Sequence, residues 1–159
     1  MSRLVRFFHE QGTENEHERG QSLVEFALLL PLMLLIITGL LDVARAVWQE
    51  NTLAYAAREG TRWLIVHGSA GSPATDATDP NDPVVNQAKT IVRQAAIGVQ
   101  NVTVTVQFPD FVGPTRCNDR NCRVIVDASA PFVPLPSQYL LGSAYQITLR
   151  GGSQLVIQR

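Results

Sequence analysis

The sequence predicts an α+β protein: a long N-terminal transmembrane helix that continues into a head with a second helix and a small antiparallel sheet. Three observations carry that prediction. From Leu23 to Leu41 (LVEFALLLPLMLLIITGLL), 15 of 19 residues are apolar and Glu25 is the only charge. Asp42–Val66 and Pro83–Ala96 place apolar or small residues at helical spacing. Beyond Val102, apolar and polar residues alternate, as half-buried strands require.

Composition narrows the function before any motif is read. The chain has 159 residues, 45% of them hydrophobic, and a formal net charge of -1. That apolar content is enough for a core and excludes a disordered chain. The near-zero charge argues against nucleic-acid binding, which wants a basic face. Charge is unevenly placed, however. Residues 1–20 hold Arg3, Arg6 and Arg19 against Glu10, Glu14, Glu16 and Glu18, which leaves ten basic and ten acidic residues in the rest. The chain therefore reads as three parts: a leader (1–20), a hydrophobic transmembrane and assembly helix (21–66), and an α+β head (67–159).

A hydrocarbon core of about 30 Å needs about 20 helical residues, and Gln21–Leu41 supplies them. Only a helix satisfies backbone groups in lipid, so Pro31 must be accommodated as a local kink or one missing hydrogen bond. Asp42 and Arg45 mark the exit into the interface. Three processing fates compete. The segment stays as a permanent anchor; or it is a secretory signal cut after Ala44-Arg45-Ala46; or it is a prepilin-type signal, cut before the apolar run. Arg19-Gly20 followed by Gln21-Ser22-Leu23-Val24-Glu25-Phe26 favours the third. Gly20 presents an unencumbered backbone to a protease. A carboxylate such as Glu25 costs about 2.5–3.5 kcal/mol near the bilayer centre, less toward its edge, so it needs a partner. An amino group freed at Gln21 of a neighbouring subunit would serve.

This stretch resembles the processing site of type IV pilin-like proteins, and more narrowly the TadE-like family of pseudopilins. The resemblance covers Arg19 to about Gly68. It is carried by G-x-x-x-x-E-F from Gly20 to Phe26, by Pro31 within the apolar run, and by Ala56-Ala57-Arg58-Glu59-Gly60-Thr61-Arg62 beyond it. It implies a minor pilin of the tight-adherence (Flp, type IV-like) apparatus. Such a protein is cleaved after Gly20 by a prepilin peptidase and registers against other subunits through Glu25 and Phe26. The implied partners are other pilins or pseudopilins, the assembly platform, the peptidase and the lipid bilayer. The implied location is the bacterial inner membrane, single-pass, with the head in the periplasm or outside. The arginines nearest the span number three on each side (Arg3, Arg6, Arg19; Arg45, Arg58, Arg62), so orientation rests on the cleavage motif rather than on the charge rule.

Past the membrane, Ala44, Ala54, Ala57 and Gly60 allow close approach of another helix or of the chain's own head. Gly68–Pro73 and the aspartates Asp76, Asp79 and Asp82 form a loop. The aspartates lack the glycine hinge and distal glutamate of a calcium loop. Asp82 is instead expected to cap a helix starting at Pro83 and stopping near Gly98. Val102, Val104 and Val106 form one strand; Val124, Val126 and Ala128 form a second, ended by Pro131, Pro134 and Pro136. Tyr145, Ile147, Leu149, Leu155 and Ile157 flank Gly151-Gly152 and fit either a hairpin or one long strand. A helical spine with a sheet head resembles a pilin in outline.

Signatures of catalysis are not found in the sequence. Cys117 and Cys122 are expected to pair outside the cytoplasm, contributing about 2 kcal/mol. A zinc site would need two more soft ligands, and His67 is the only histidine after the leader. His67 is expected to bond the last carbonyls of its helix. Phosphate-loop, dinucleotide and G-x-S-x-G patterns are missing. No cofactor, metal or enzymatic activity is expected. The rival function is a permanently anchored single-pass protein whose periplasmic head binds something else.

Overall fold

The computed structural model of the protein describes residues 2–67, 81–112, 115–116, 120–135 and 146–158. Its elements are α1 (Ser2–His67), α2 (Pro83–Ala95), β1 (Thr103–Gln107), β2 (Phe111–Val112), β3 (Thr115–Arg116), β4 (Arg123–Phe132) and β5 (Ile147–Val156). A long apolar helix, a second helix and a three-stranded antiparallel sheet make the predicted α+β fold. The chain divides into two compact units, Met1–Leu41 and Asp42–Arg159. The first is helix alone, with Pro31 inside it.

In the second unit, α1 shows one stripe to a core. Leu53, Ala56, Ala57 and Leu64 are fully buried, at the three- and four-residue intervals that put side chains on one helical face. Thr61 is buried with them, and its hydroxyl donates to the Ala57 carbonyl at 2.7 Å. This satisfies the one polar group on the stripe. Gly60 lies against α2: a Cβ there would overlap the Val92 side chain. Ala57 and Gly60 are thus used by the chain's own head, whereas Ala44 is exposed.

The second helix begins as its sequence implies. Asp82 Oδ1 accepts from the N–H groups of Val84 (2.8 Å) and Val85 (2.9 Å), and Pro83 is the first helical residue. The cap satisfies two of the orphan donors of the first turn. Val85, Ala88 and Val92 face the core. The chain leaves α2 through Gly98, which has φ +75° and lies under the Trp48 ring. Any other residue would be strained there and would meet the indole.

The sheet order is β1-β4-β5. Val104 and Val106 of β1 and Val124, Val126, Ala128 and Ala130 of β4 point into the core, while Thr103, Thr105, Gln107 and Arg123 point out. The valine alternation of β1 was therefore a sound guide to its inner face. Two expectations are changed or resolved. Pro131 does not end β4, which continues to Phe132. Its β1 partner has already stopped at the Thr103–Ser129 pair, so residues 130–132 are paired only with β5. A proline is tolerated where a neighbouring strand is missing. The second concerns residues 147–156, which form one strand paired along the whole of β4, from Arg123–Val156 to Phe132–Ile147.

Gly151-Gly152 is therefore not a turn. Gly151 is buried, and a Cβ on it would run into the backbone of Leu53 and Ala54 of α1. The helix backbone rests on the strand there, at a separation only glycine allows. A Cβ on the exposed Gly152 would meet the Asp127 carboxylate instead, 2.5 Å away, and that side chain can rotate aside. The short β2–β3 ladder was not foreseen. Beyond β5 the chain stays attached: Ile157 N donates to the Cys122 carbonyl (2.9 Å) and Asn121 N to the Ile157 carbonyl (3.0 Å).

An ion pair joins the 108–112 segment to the start of β4. Arg123 Nη2 and Nε donate to Asp110 Oδ1 at 2.6 and 3.0 Å, and the Arg123 backbone N–H donates to Oδ2 at 2.7 Å. The guanidinium's hydrogen bonds, then the backbone one, hold the Asp110 carboxyl below its usual range.

Two predictions follow from these contacts. Replacing Gly151 by Ala should cost about 1–3 kcal/mol of overpacking in denaturant titrations of the full chain in detergent, and Gly152→Ala much less; equal losses would refute the close-approach account. Because the folded pKa of Asp110 is depressed, its contribution is complete above about pH 4 and is lost as pH falls through the folded value. The difference in Tm between the wild type and Asp110→Asn should accordingly be largest near pH 7 and shrink toward pH 3.

Candidate functional site

The first candidate site is the apolar helix from Gly20 onward. Leu23, Phe26, Leu28 and Leu40 are 63–72% exposed, and the helix has a mean hydropathy of 2.4 over its most apolar window. An apolar surface on every side is what a helix needs in lipid and what it cannot show to water. Its polar groups are satisfied locally. Thr38 Oγ1 donates to the carbonyls of Leu34 (2.9 Å) and Leu35 (3.0 Å). The Glu25 carboxylate accepts a hydrogen bond from Gln21 Nε2 at 3.3 Å, one helical turn away. An amide carries no counter-charge, so this contact is not the ionic partner that a carboxylate on an apolar helix needs.

Gly20 and Gly39 have no packing reason to be glycines, since a Cβ on either would meet nothing within 4 Å. Glycine in a helix is about 1 kcal/mol worse than alanine. Gly20 and Gln21, expected to be the processing site, and Glu25 and Phe26, expected to register subunits, lie on one continuous stretch of helix, and Phe26 is exposed. Cys122 is disulfide-bonded and buried; Cys117, its expected partner, lies outside the described residues. Asp76 and Asp79 also lie outside them.

The second candidate site is a polar strut where α1 enters the head. Asp42 is only 6% exposed. Its Oδ2 accepts from the backbone N–H of Leu135 at 2.7 Å, and its Oδ1 accepts from Arg45 Nη1 at 3.0 Å. Arg45 in turn lies over the Phe132 ring, 5.5 Å from its centroid. The sequence marks Asp42 and Arg45 as an interfacial exit. It does not show that Asp42 reaches 93 residues along the chain to hold the segment after β4. A lone acid beside an apolar run carries no signal of which distant N–H it will meet.

Two other predicted positions keep local roles. His67 Nδ1 donates to the Trp63 carbonyl at 2.9 Å and stacks on the Trp63 ring at 4.3 Å. Arg62 pairs with Glu59 at 3.3 Å on an exposed face. Val43, Val47, Trp48 and Tyr55 of α1 are large apolar side chains left 53–63% exposed. Among the described residues no three His, Cys, Asp or Glu side chains are grouped to hold a metal.

The exposed apolar helix, with its lone carboxylate and unexplained glycine, is also where the comparison with known families falls. Residues 20–62 match the TadE-like protein family. The TadE-like segment starts at Gly20, spans the apolar helix and ends in the part of α1 that packs in the head; the sheet lies beyond it. Nothing among curated proteins or solved structures matches the chain. An apolar N-terminal helix and a TadE-like segment fit a membrane-anchored pilin and point to the tight-adherence pilus system.

Asp42→Ala should destabilise the full chain by about 1–3 kcal/mol, because it leaves the Leu135 N–H without its acceptor. Hydrogen exchange should show the Leu135 amide losing protection. An unchanged exchange rate there would remove the strut from the account.

Proposed function

We propose that the protein is a minor pilin, or pseudopilin, of the tight-adherence (Flp, type IVc-like) pilus system. A prepilin peptidase at the cytoplasmic face of the bacterial inner membrane cleaves it after Gly20. Gln21 becomes the new N-terminus, the apolar helix stays with the mature protein, and the head lies in the periplasm or outside. The chain is a substrate of processing and performs no chemistry of its own.

One coincidence carries this reading. The family match begins at Gly20, a helical glycine that no neighbour requires, and the sole charge of the following run stands five positions on at Glu25. A glycine without a packing role suits a protease that needs bare backbone. A carboxylate in an apolar helix suits an ammonium partner, and each cleaved neighbour would present one at its Gln21. Phe26 beside it is exposed and available for registration. The exposed apolar residues Val43, Val47 and Tyr55 of α1 suit contact with other pilins and the assembly platform.

N-terminal sequencing of protein extracted from membranes tests the proposal. A start at Gln21 supports it. A start at Met1 would favour a permanent anchor carrying a binding head, and Val47 a secreted form. Gly20→Ala should accumulate as precursor; normal cleavage of that variant at the same bond would sink the assigned site.

A further inference from the structure

The head holds a polar pocket that neither the family match nor the processing site explains. Its volume is about 500 Å³, and its lining includes Arg45, Gly98, Gln100, Asn101, Pro131 and Gln146. Among the described residues of the lining, Arg45 is the one that carries a charge. Its Nη1 bonds Asp42, its Cζ lies 5.5 Å from the Phe132 ring centroid, and half of its side chain remains exposed. A guanidinium has five N–H donors in a rigid fork suited to phosphate. Gln100, Asn101 and Gln146 add carboxamides, which both donate and accept. Asn101 is held at φ +55°, a left-handed conformation in the turn that follows α2.

The residues around it have the composition of surfaces that meet a membrane. Trp48 packs on Gly98 of the lining and is still 53% exposed. Ile97, next to Gly98 in the chain, is 75% exposed. Arg45 follows Leu41, the end of the apolar run, by four residues, which span at most about 14 Å in any conformation. Tryptophan and an aliphatic side chain beside a cation are the usual composition of a surface that enters the headgroup layer.

We propose that this pocket binds the headgroup of an anionic phospholipid, with Arg45 on the phosphate and the carboxamides of Gln100, Asn101 and Gln146 on the polar groups around it. Trp48 and Ile97 enter the interface beside it. The inference rests on membrane anchoring by residues 21–41, and not on cleavage at Gly20.

Full-length protein extracted in mild detergent and examined by native mass spectrometry should retain one phosphatidylglycerol per chain. Gln100→Glu and Gln146→Glu leave the Asp42–Arg45 pair in place and should lower retention about fivefold for each charge added. Gln87→Glu, on the exposed side of α2, should leave retention unchanged. Equal retention by the wild type and the double variant overturns the proposal, as does inorganic phosphate binding as well as the lipid. A readout that needs no change in the pocket uses Trp63→Phe, which leaves Trp48 as the only tryptophan. Reconstituted in vesicles, its fluorescence should be quenched more steeply by headgroup-labelled phosphatidylglycerol than by equally labelled phosphatidylcholine; equal quenching overturns the assignment. Resistance to alkaline extraction reads out the anchoring separately, so failure of the span and failure of the pocket are distinguishable.

Discussion

The head depends on how closely the α1 backbone can lie on the sheet. At Gly151 the separation leaves no room for a Cβ, because the Leu53–Ala54 backbone occupies that space. That contact brings the alanines at 56 and 57 to the core, where larger residues would hold the helix away. On the α2 side, Gly60 has the same role against Val92. Close packing is dispersion-rich and intolerant of added volume, so two glycines set the spacing of three elements. The small core then closes around Phe108, Leu53 and Leu64, its largest side chains besides Ile157.

The same helix has to meet two solvents. From Leu23 to Leu41, Glu25 apart, it exposes apolar side chains all round, and from Asp42 onward one stripe is buried. Asp42 stands at the change. A buried carboxylate is costly unless its oxygens are bonded, and here one takes Arg45 and the other the Leu135 N–H. The strut therefore ties the beginning of the head to the segment after β4. At the sheet's other end, the Asp110–Arg123 pair and the Ile157–Cys122 hydrogen bond do similar work. A head with so few large core residues is held at its margins by polar contacts.

β4 shows how a local rule yields to its neighbours. Proline ends strands when it interrupts pairing on both sides, yet at Pro131 only β5 is alongside. The glycine pair in β5 has a similar lesson. Gly-Gly between apolar residues suits a two-residue turn as well as it suits a strand, and periodicity cannot tell a position that bends from one that is pressed by a helix. What decides is the presence of α1 above Gly151, almost a hundred residues earlier in the chain.

Much of the protein was legible from residues alone where the determining interactions are local. The apolar run, its lone Glu25, the Asp82 cap with Pro83, the end of α2 shortly before Gly98 and the alternating valines of β1 each depend on neighbours within a turn or two. So did the G-x-x-x-x-E-F pattern that the family match covers. Tertiary structure alone decided that Gly151 and Gly60 are contact points, that Asp42 is a buried strut, that Arg45 lines a pocket, and that β4 runs past its proline. Each of these depends on which remote backbone or side chain occupies the adjacent space, and sequence spacing carries no information about that until the chain has folded.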